Sequence, residues 1–211
     1  GVSALNVRNN SYAVVGYAYP QLEVYDWNRD PANGKVIVDA NTGLPTRASK
    51  LSILGQTNPK DIVGITSNLK YKNFNFTMTW DYRAGHKVYV SDLGTTLDHS
   101  GTSITSVVAG RQRFVFPNSE YLNSAGQYVP NTNVEVEDGN FNFWPTLYQS
   151  VRANYVISAA AWKLREASIS YNIPKKWLNE ARFIKGATIG VSGRNLLMFV
   201  PSTNKFTDPE F

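Results

Sequence analysis

The stretch Trp162 to Phe199, WKLREASISYNIPKKWLNEARFIKGATIGVSGRNLLMF, constrains the fold most, because it reads as two strands whose faces agree in a single register. With Ile173 opposite Ala187, Tyr171 meets Ile189 and Ile169 meets Val191 on one face. Asn172, Ser170, Ser168 and Glu166 then meet Thr188, Gly190, Ser192 and Arg194 on the other. Side chains alternate across a strand, so a slip by one residue would mix the apolar and polar sets. The pattern therefore predicts the register as well as the strands, and it sets Glu166 across from Arg194 as a candidate ion pair. Trp162 is out of phase with Ile169 and Tyr171, which puts it either on the polar face or beyond a β-bulge.

The same pattern recurs from Ile62 to Val90, where the dipeptide Lys72-Asn73 separates two alternating runs. Asparagine tolerates the left-handed backbone that a two-residue hairpin turn requires. Folding there pairs Tyr71 with Phe74, Leu69 with Phe76, Ser67 with Met78, Ile65 with Trp80 and Val63 with Tyr82. Lys70, Asn68, Thr66, Asn75, Thr77, Thr79 and Asp81 fall on the opposite side. The run Phe74, Phe76, Met78, Trp80, Tyr82 makes an apolar ribbon that must either be sealed in a core or face lipid.

Composition narrows the choice only in part. A chain of 211 residues with 42% hydrophobic content can build a core as one large or two small domains. No apolar run approaches the roughly eighteen residues a membrane helix needs. A β-barrel stays open, because its strands need only about ten residues of alternating character. Half of those residues face water, so the mean hydropathy of −0.31 does not discriminate. Cysteine is absent, which excludes disulfides and thiolate metal sites. The net charge of +5 comes from scattered Lys and Arg without a nucleic-acid motif, and reads as solvated surface rather than a nucleic-acid site. Gly1 opens in mid-sequence style, so any targeting signal is expected outside this stretch.

Residues 1–61 are punctuated by Asp30-Pro31, Asn33-Gly34, Thr42-Gly43 and Leu44-Pro45, and read as a loop region with a small hairpin around Val36-Ile37-Val38. Residues 62–83 form the first strand pair and 162–200 the second. Residues 84–161 lack sustained alternation and form a long loop region, of a length that is usually functional. Residues 201–211 begin a further loop. Short connections alternating with long ones is the asymmetry of outer-membrane barrels, which have short periplasmic turns and long external loops. On that assignment the strands near Val63 and Ile169 run inward, and those near Trp80 and Val191 outward.

The stretches LGQTNPKDIVGITSNLKYKNFNFTMTWDYRAGHKVY, WKLREASISYNIPKKWL and GATIGVSGRNLLMF, followed by Asp208-Pro209-Glu210, resemble the C-terminal barrel portion of the SusC/RagA family of TonB-dependent outer-membrane transporters of Bacteroidetes. The match lies in the joint occurrence and order of these blocks. The resemblance implies an all-β fold, with antiparallel strands forming part of a large barrel of about 22 strands around an N-terminal plug. It also implies a bacterial outer-membrane location, energy from the TonB complex through the plug, a SusD-like lipoprotein lid, and import of oligosaccharide or peptide fragments. Neither a plug, nor a TonB box, nor a closing strand with a terminal aromatic residue is found in the sequence. The chain is thus expected to be truncated before the final strand, and four strands alone are not expected to transport.

On that reading Val63, Ile65, Leu69, Phe74, Phe76, Met78, Trp80, Tyr82, Ile169, Tyr171, Ile189 and Val191 face lipid. The alternative is the core of a soluble sandwich, with the chain an all-β carbohydrate-binding module. Glu166 and Arg194 form a lumen pair, or stand as separately screened charges. Lys163 and Arg165 meet lipopolysaccharide at the outer rim, or are solvated strand ends. Tyr121, Tyr128, Phe143, Trp144 and Tyr148 are candidate ligand contacts, large planar side chains that stack on sugar rings or peptide side chains; the alternative is that they pack the loop onto itself.

Enzyme readings find little support, and neither a catalytic residue nor a cofactor is assigned. Glu135, Glu137 and Asp138 cluster within one loop, but neighbouring carboxylates do not set the separation that a glycosidase needs. His86 and His99 lack zinc-ligand spacing. Asp39-Ala-Asn41-Thr-Gly43 echoes a calcium loop without its closing glutamate, and is read as a hairpin turn.

Overall fold

The computed structural model describes residues 3–8, 10–93, 109–141, 143–178, 183–204 and 207–210; His99 lies outside them. In chain order the strands are β1 (Ala4–Arg8), β2 (Ser11–Val14), β3 (Gln21–Trp27), β4 (Val36–Ile37), β5 (Arg47–Gln56), β6 (Asp61–Tyr71), β7 (Phe74–Ala84), β8 (Lys87–Tyr89), β9 (Ser119–Leu122), β10 (Tyr128–Pro130), β11 (Val156–Ser158), β12 (Ala161–Asn172) and β13 (Thr188–Phe199). A short helix, α1 (Lys175–Leu178), follows β12. The chain divides into two compact units, residues 1–57 with 87–157 and residues 58–86 with 158–211.

The second unit is a four-stranded antiparallel sheet in the order β13-β12-β7-β6. Its registers follow from the alternation. Tyr71 faces Phe74, Leu69 faces Phe76 and Val63 faces Tyr82; Tyr171 faces Ile189, Ile169 faces Val191 and Glu166 faces Arg194. The Ile173 amide donates to the Ala187 carbonyl at 2.9 Å, at the pairing that sets the register. The left-handed residue of the tight turn is Lys72, at φ +52°, rather than Asn73. The Lys72 ammonium lies 5.3 Å over the Tyr71 ring, a contact that helps hold that turn.

Between Leu164 and Glu166 the register shifts on both sides of β12. Arg165 is the extra residue relative to β7, and Asn195, at φ +51°, lies in the matching irregularity of β13. This bulge settles the phase of Trp162, which pairs with Tyr82 on one side and Phe199 on the other. The apolar face is therefore continuous across all four strands despite the break in sequence alternation.

The first unit holds a four-stranded sheet, β1-β2-β3-β5, a three-stranded sheet, β10-β9-β4, and the pair β11-β8. Sequence alternation does not reveal β3 and β5. In QLEVYDW the apolar phase moves from Leu22 and Val24 to Tyr25 and Trp27, and the pairing with β5 shifts register on either side of that step, between Leu22 and Glu23 and between Tyr25 and Trp27. The Val36-Ile37 segment pairs in parallel with Ser119 and Glu120, while an antiparallel bridge from Val38 to Pro45 closes the small turn after it. The core gathers Trp27, Val36, Val38, Phe116, Val136, Phe143, Trp144 and Val151. The Trp27 indole N–H donates to Asn154 Oδ1 at 2.9 Å, which satisfies its polar edge inside that core.

Candidate functional site

The broad face of the second unit carries four aligned apolar columns. β6 supplies Val63, Ile65, Leu69 and Tyr71; β7 supplies Phe74, Phe76, Met78, Trp80 and Tyr82; β12 supplies Trp162, Leu164, Ile169 and Tyr171; β13 supplies Ile189, Val191, Leu197 and Phe199. Aromatic rings gather at both ends. Phe74 and Tyr171 lie 4.7 Å apart at the turn end, with Trp177 of α1 6.3 Å from Tyr171. Tyr82 and Trp162 stack at 4.5 Å at the other end, beside Trp80 and Phe199 at 6.4 Å. Between these rows the columns are aliphatic or small apart from Phe76, and Ser67, Met78, Ala167 and Gly193 share the middle level.

From Phe74 to Tyr82 the strand covers about 26 Å at ~3.3 Å per residue, or about 20 Å of height at the ~40° tilt of a barrel strand. The face is open. Leu69 is 64% exposed, Ile189 67% and Val191 69%, and Phe76, Met78 and Trp80 are half-buried rather than sealed. An apolar surface of this extent is costly in water, and marks a place where lipid or another protein belongs.

The opposite face is polar, with Thr66 and Thr79 hydroxyls 3.3 Å apart and Asn75 near Ser170 at 3.5 Å. Glu166 and Arg194 stand directly opposite each other, but Nε and the carboxylate are 3.9 Å apart and the Arg194 side chain is 81% exposed. A screened pair of that geometry contributes between about 0 and 1 kcal/mol.

A stronger ionic cluster lies where the tail returns to β12. The Lys163 ammonium, only 7% exposed, donates to Asp208 and, at 2.7 Å, to Glu210. Arg165 reaches Glu210 at 2.7 Å and Asp81 at 3.2 Å, and Arg83 joins Asp81 at 3.2 Å and Glu210 at 3.3 Å. Three cations thus meet three carboxylates in a neutral set. Hydrogen bonds from Arg165, then Lys163, hold the Glu210 carboxyl down at about 2 against the opposing effect of burial. Asn204 secures the approach by donating to the Thr207 carbonyl at 2.8 Å. Lys163 and Arg165 are therefore occupied by the Asp-Pro-Glu tail, and the rim-lipopolysaccharide reading gives way to this one. No local pattern in the sequence points to this cluster, because Lys163 and Glu210 stand more than forty residues apart.

In the first unit, Phe143 and Trp144 are buried in the core, and Tyr121 and Tyr148 pack against it. Tyr148 touches Trp144 at 4.9 Å and Phe143 at 5.7 Å. Of the aromatic candidates only Tyr128 presents an exposed side chain. Glu135 pairs with Arg113 at 3.6 Å, and Asp138 accepts from the Asn140 amide at 2.8 Å. Asp39 Oδ1 accepts the Thr42 and Asn41 amides at 2.8 and 2.9 Å, so the calcium-like segment is a closed turn. Those backbone hydrogen bonds, Thr42 first, also lower the Asp39 carboxyl below its ordinary range.

Protein-family models give no match to the chain. In sequence it is similar to TonB-dependent receptor P3 of Formosa agariphila, 24% identical over 182 residues, which cover 86% of this chain and 16% of that receptor. In structure it is similar to the RagAB peptide importer in its closed-closed state, with a TM-score of 0.60, 17% identity, all of this chain covered and 22% of that one. The RagAB peptide transporter gives a TM-score of 0.62 at 16% identity, with the same coverage. The chain spans less than a quarter of the length of the proteins it matches.

The fold is that of a TonB-dependent outer-membrane β-barrel, present here as antiparallel strands that do not close on themselves. The blocks that resemble the SusC/RagA family lie on this sheet and its tail, KLRE on β12, GRNL on β13 and Asp208-Pro209-Glu210 beside them, within the stretch that matches the RagAB fold.

Proposed function

We propose that this chain contributes wall and external mouth to a TonB-dependent importer of glycan or peptide nutrients in the bacterial outer membrane. The four-stranded sheet is the wall. Its apolar columns meet acyl chains, its aromatic rows sit at the two interfaces, and its polar face borders the lumen with Glu166 and Arg194 as a lumen pair. Residues 1–61 and 84–161 supply the mouth. Substrate is held there beneath a SusD-like lipoprotein lid, the TonB complex acts on a plug, and a path opens through the lumen. The chain itself carries no catalytic step in this reading.

The observation that carries the proposal is the uncovered apolar face with an aromatic row at each end. A soluble module would leave that face in water, and the outer edges of β6 and β13 are unpaired among the described residues. Open strand edges do not persist in lipid, so neighbouring strands must complete the ring. The test is to express the intact protein that contains this segment, follow it in membrane fractions, and measure uptake of oligosaccharide and peptide pools by cells with and without it. Outer-membrane recovery with heat-modifiable migration and protein-dependent uptake supports the reading. Recovery as a soluble monomer overturns it.

A further inference from the structure

The first unit contains a cavity of about 380 Å³ lined by Tyr25, Arg47, Tyr89, Gln149, Arg152 and Tyr155 among its residues. The volume suits one or two sugar rings or a short peptide end. Arg47 reaches it from β5, with its guanidinium carbon 4.6 Å over the Tyr25 ring. Stacking on one face leaves the planar N–H edge free to meet an acceptor in plane. Arg152 follows from the helical turn Arg152–Tyr155 and donates to Asn10 Oδ1 at 2.6 Å, a neutral partner that orients the side chain without cancelling its charge.

The two arginines differ from the ion-paired arginines of the chain. Arg29, Arg83, Arg113, Arg165 and Arg194 each lie in an ion pair with a carboxylate. Among the described residues neither Arg47 nor Arg152 does, and the cavity lining contains no acidic side chain. A concave site with two arginines, three tyrosines and a glutamine concentrates positive potential beside aromatic walls. Guanidinium groups bind carboxylates through paired N–H donors, and tyrosine rings pack against the apolar faces of sugars or side chains.

We propose that this cavity binds the carboxylate of an acidic nutrient fragment, with Arg47 and Arg152 as its anion-recognising residues. The proposal rests on the importer reading and names a substrate class for it. One carboxylate chemistry has two sources here, a uronic-acid oligosaccharide or a peptide with an acidic side chain or free C-terminus.

The test uses the intact protein purified in detergent. Calorimetric titration compares a galacturonic-acid trisaccharide with its methyl ester, and an acidic hexapeptide with its fully amidated form. At least one acid is expected to bind about tenfold more tightly than its neutral counterpart, the free-energy equivalent of one charge-assisted hydrogen bond. R47Q/R152Q is expected to abolish that preference, so that acidic and neutral forms bind alike. R47K/R152K keeps the charge without the planar fork, so partial retention assigns the remainder to guanidinium geometry; it also serves as the folded comparison if the glutamine variant is lost. The arm that responds identifies the source of the carboxylate. Equal binding of acidic and neutral forms by the unaltered protein, or an unchanged acid preference in R47Q/R152Q, overturns the proposal. Uptake of neutral fragments with no acid preference would leave the importer reading standing while this site fails. Absence of the protein from the outer membrane would remove the importer reading itself.

Discussion

A lysine placed at successive levels of the β7 ribbon should report depth in a bilayer. Met78 lies midway between Phe74 and Tyr82 on the same face, about 13 Å along the strand from each at ~3.3 Å per residue. For Met78→Lys the expected loss is about 2–4 kcal/mol, the cost of a cation near the midplane of a barrel's lipid face. For Phe74→Lys and Tyr82→Lys the charge itself costs about 0–1 kcal/mol, because an interfacial ammonium reaches headgroups and water. Thr79→Lys, one residue away but on the polar face opposite Glu166, should cost less than about 0.5 kcal/mol. A globular core predicts another order. There the ends would suffer most, since Phe74 and Tyr82 make the close ring contacts, at 4.7 Å to Tyr171 and 4.5 Å to Trp162. The measurement is the denaturant midpoint of the intact protein in lipid vesicles, with outer-membrane abundance as a second readout. A flat profile over residues 74, 78 and 82, or a greater loss from Thr79→Lys than from Met78→Lys, refutes lipid contact on this face.

Glu210→Gln should loosen the tail from β12 and raise its amide exchange, with the strand registers unchanged; intact protection of residues 207–210 would count against the latch. Because the Glu210 carboxyl is held near 2, below its ordinary 4.5, its contribution is complete above about pH 4.5 and disappears as the pH falls toward 2. Tail protease sensitivity should therefore rise across that window in the native protein and stay flatter in Glu210→Gln. A double-mutant cycle on Glu166 and Arg194 should return a coupling below about 1 kcal/mol, as expected for a 3.9 Å exposed pair, and a larger value would mean that the pair is less screened from water than this sheet presents it. Gly43→Ala should cost at least about 2 kcal/mol, since φ is +65° and a methyl group would fall 2.4 Å from the Glu135 carbonyl oxygen. Gly34→Ala, at φ +74° in open space, should cost only the backbone strain of about 1 kcal/mol, so equal thermal shifts for the two would disprove the close approach.

Much of the sheet was legible because the physics that builds it is local. A two-residue period with one apolar face rules out one-residue slips, and with the turn positions it yields the pairs Tyr71–Phe74 and Ile169–Val191. The candidate contacts in the first unit were less legible for a corresponding reason. Aromatic composition does not say whether a ring faces a ligand or its own loop, and burial against Trp27 and Val136 drew Phe143 and Trp144 into the core. Where alternation failed, as in β3, the apolar phase changes within the strand and its pairing with β5 shifts register twice, and pattern reading treats such a break as loop.

The sequence by itself determined the two β-hairpins, their facing pairs and which side of each is apolar, because those depend on neighbours two residues apart and on one turn. Only the tertiary structure decided that β12 sits between β7 and β13, that Trp162 rejoins the apolar face through the Arg165 bulge, and that Lys163 is held by Asp208 and Glu210. It alone also gathered Arg47 and Arg152 around one cavity, from segments more than a hundred positions apart. Charges attract through space rather than along the chain, so ionic clusters and cavities exist only once strand order has brought distant segments together.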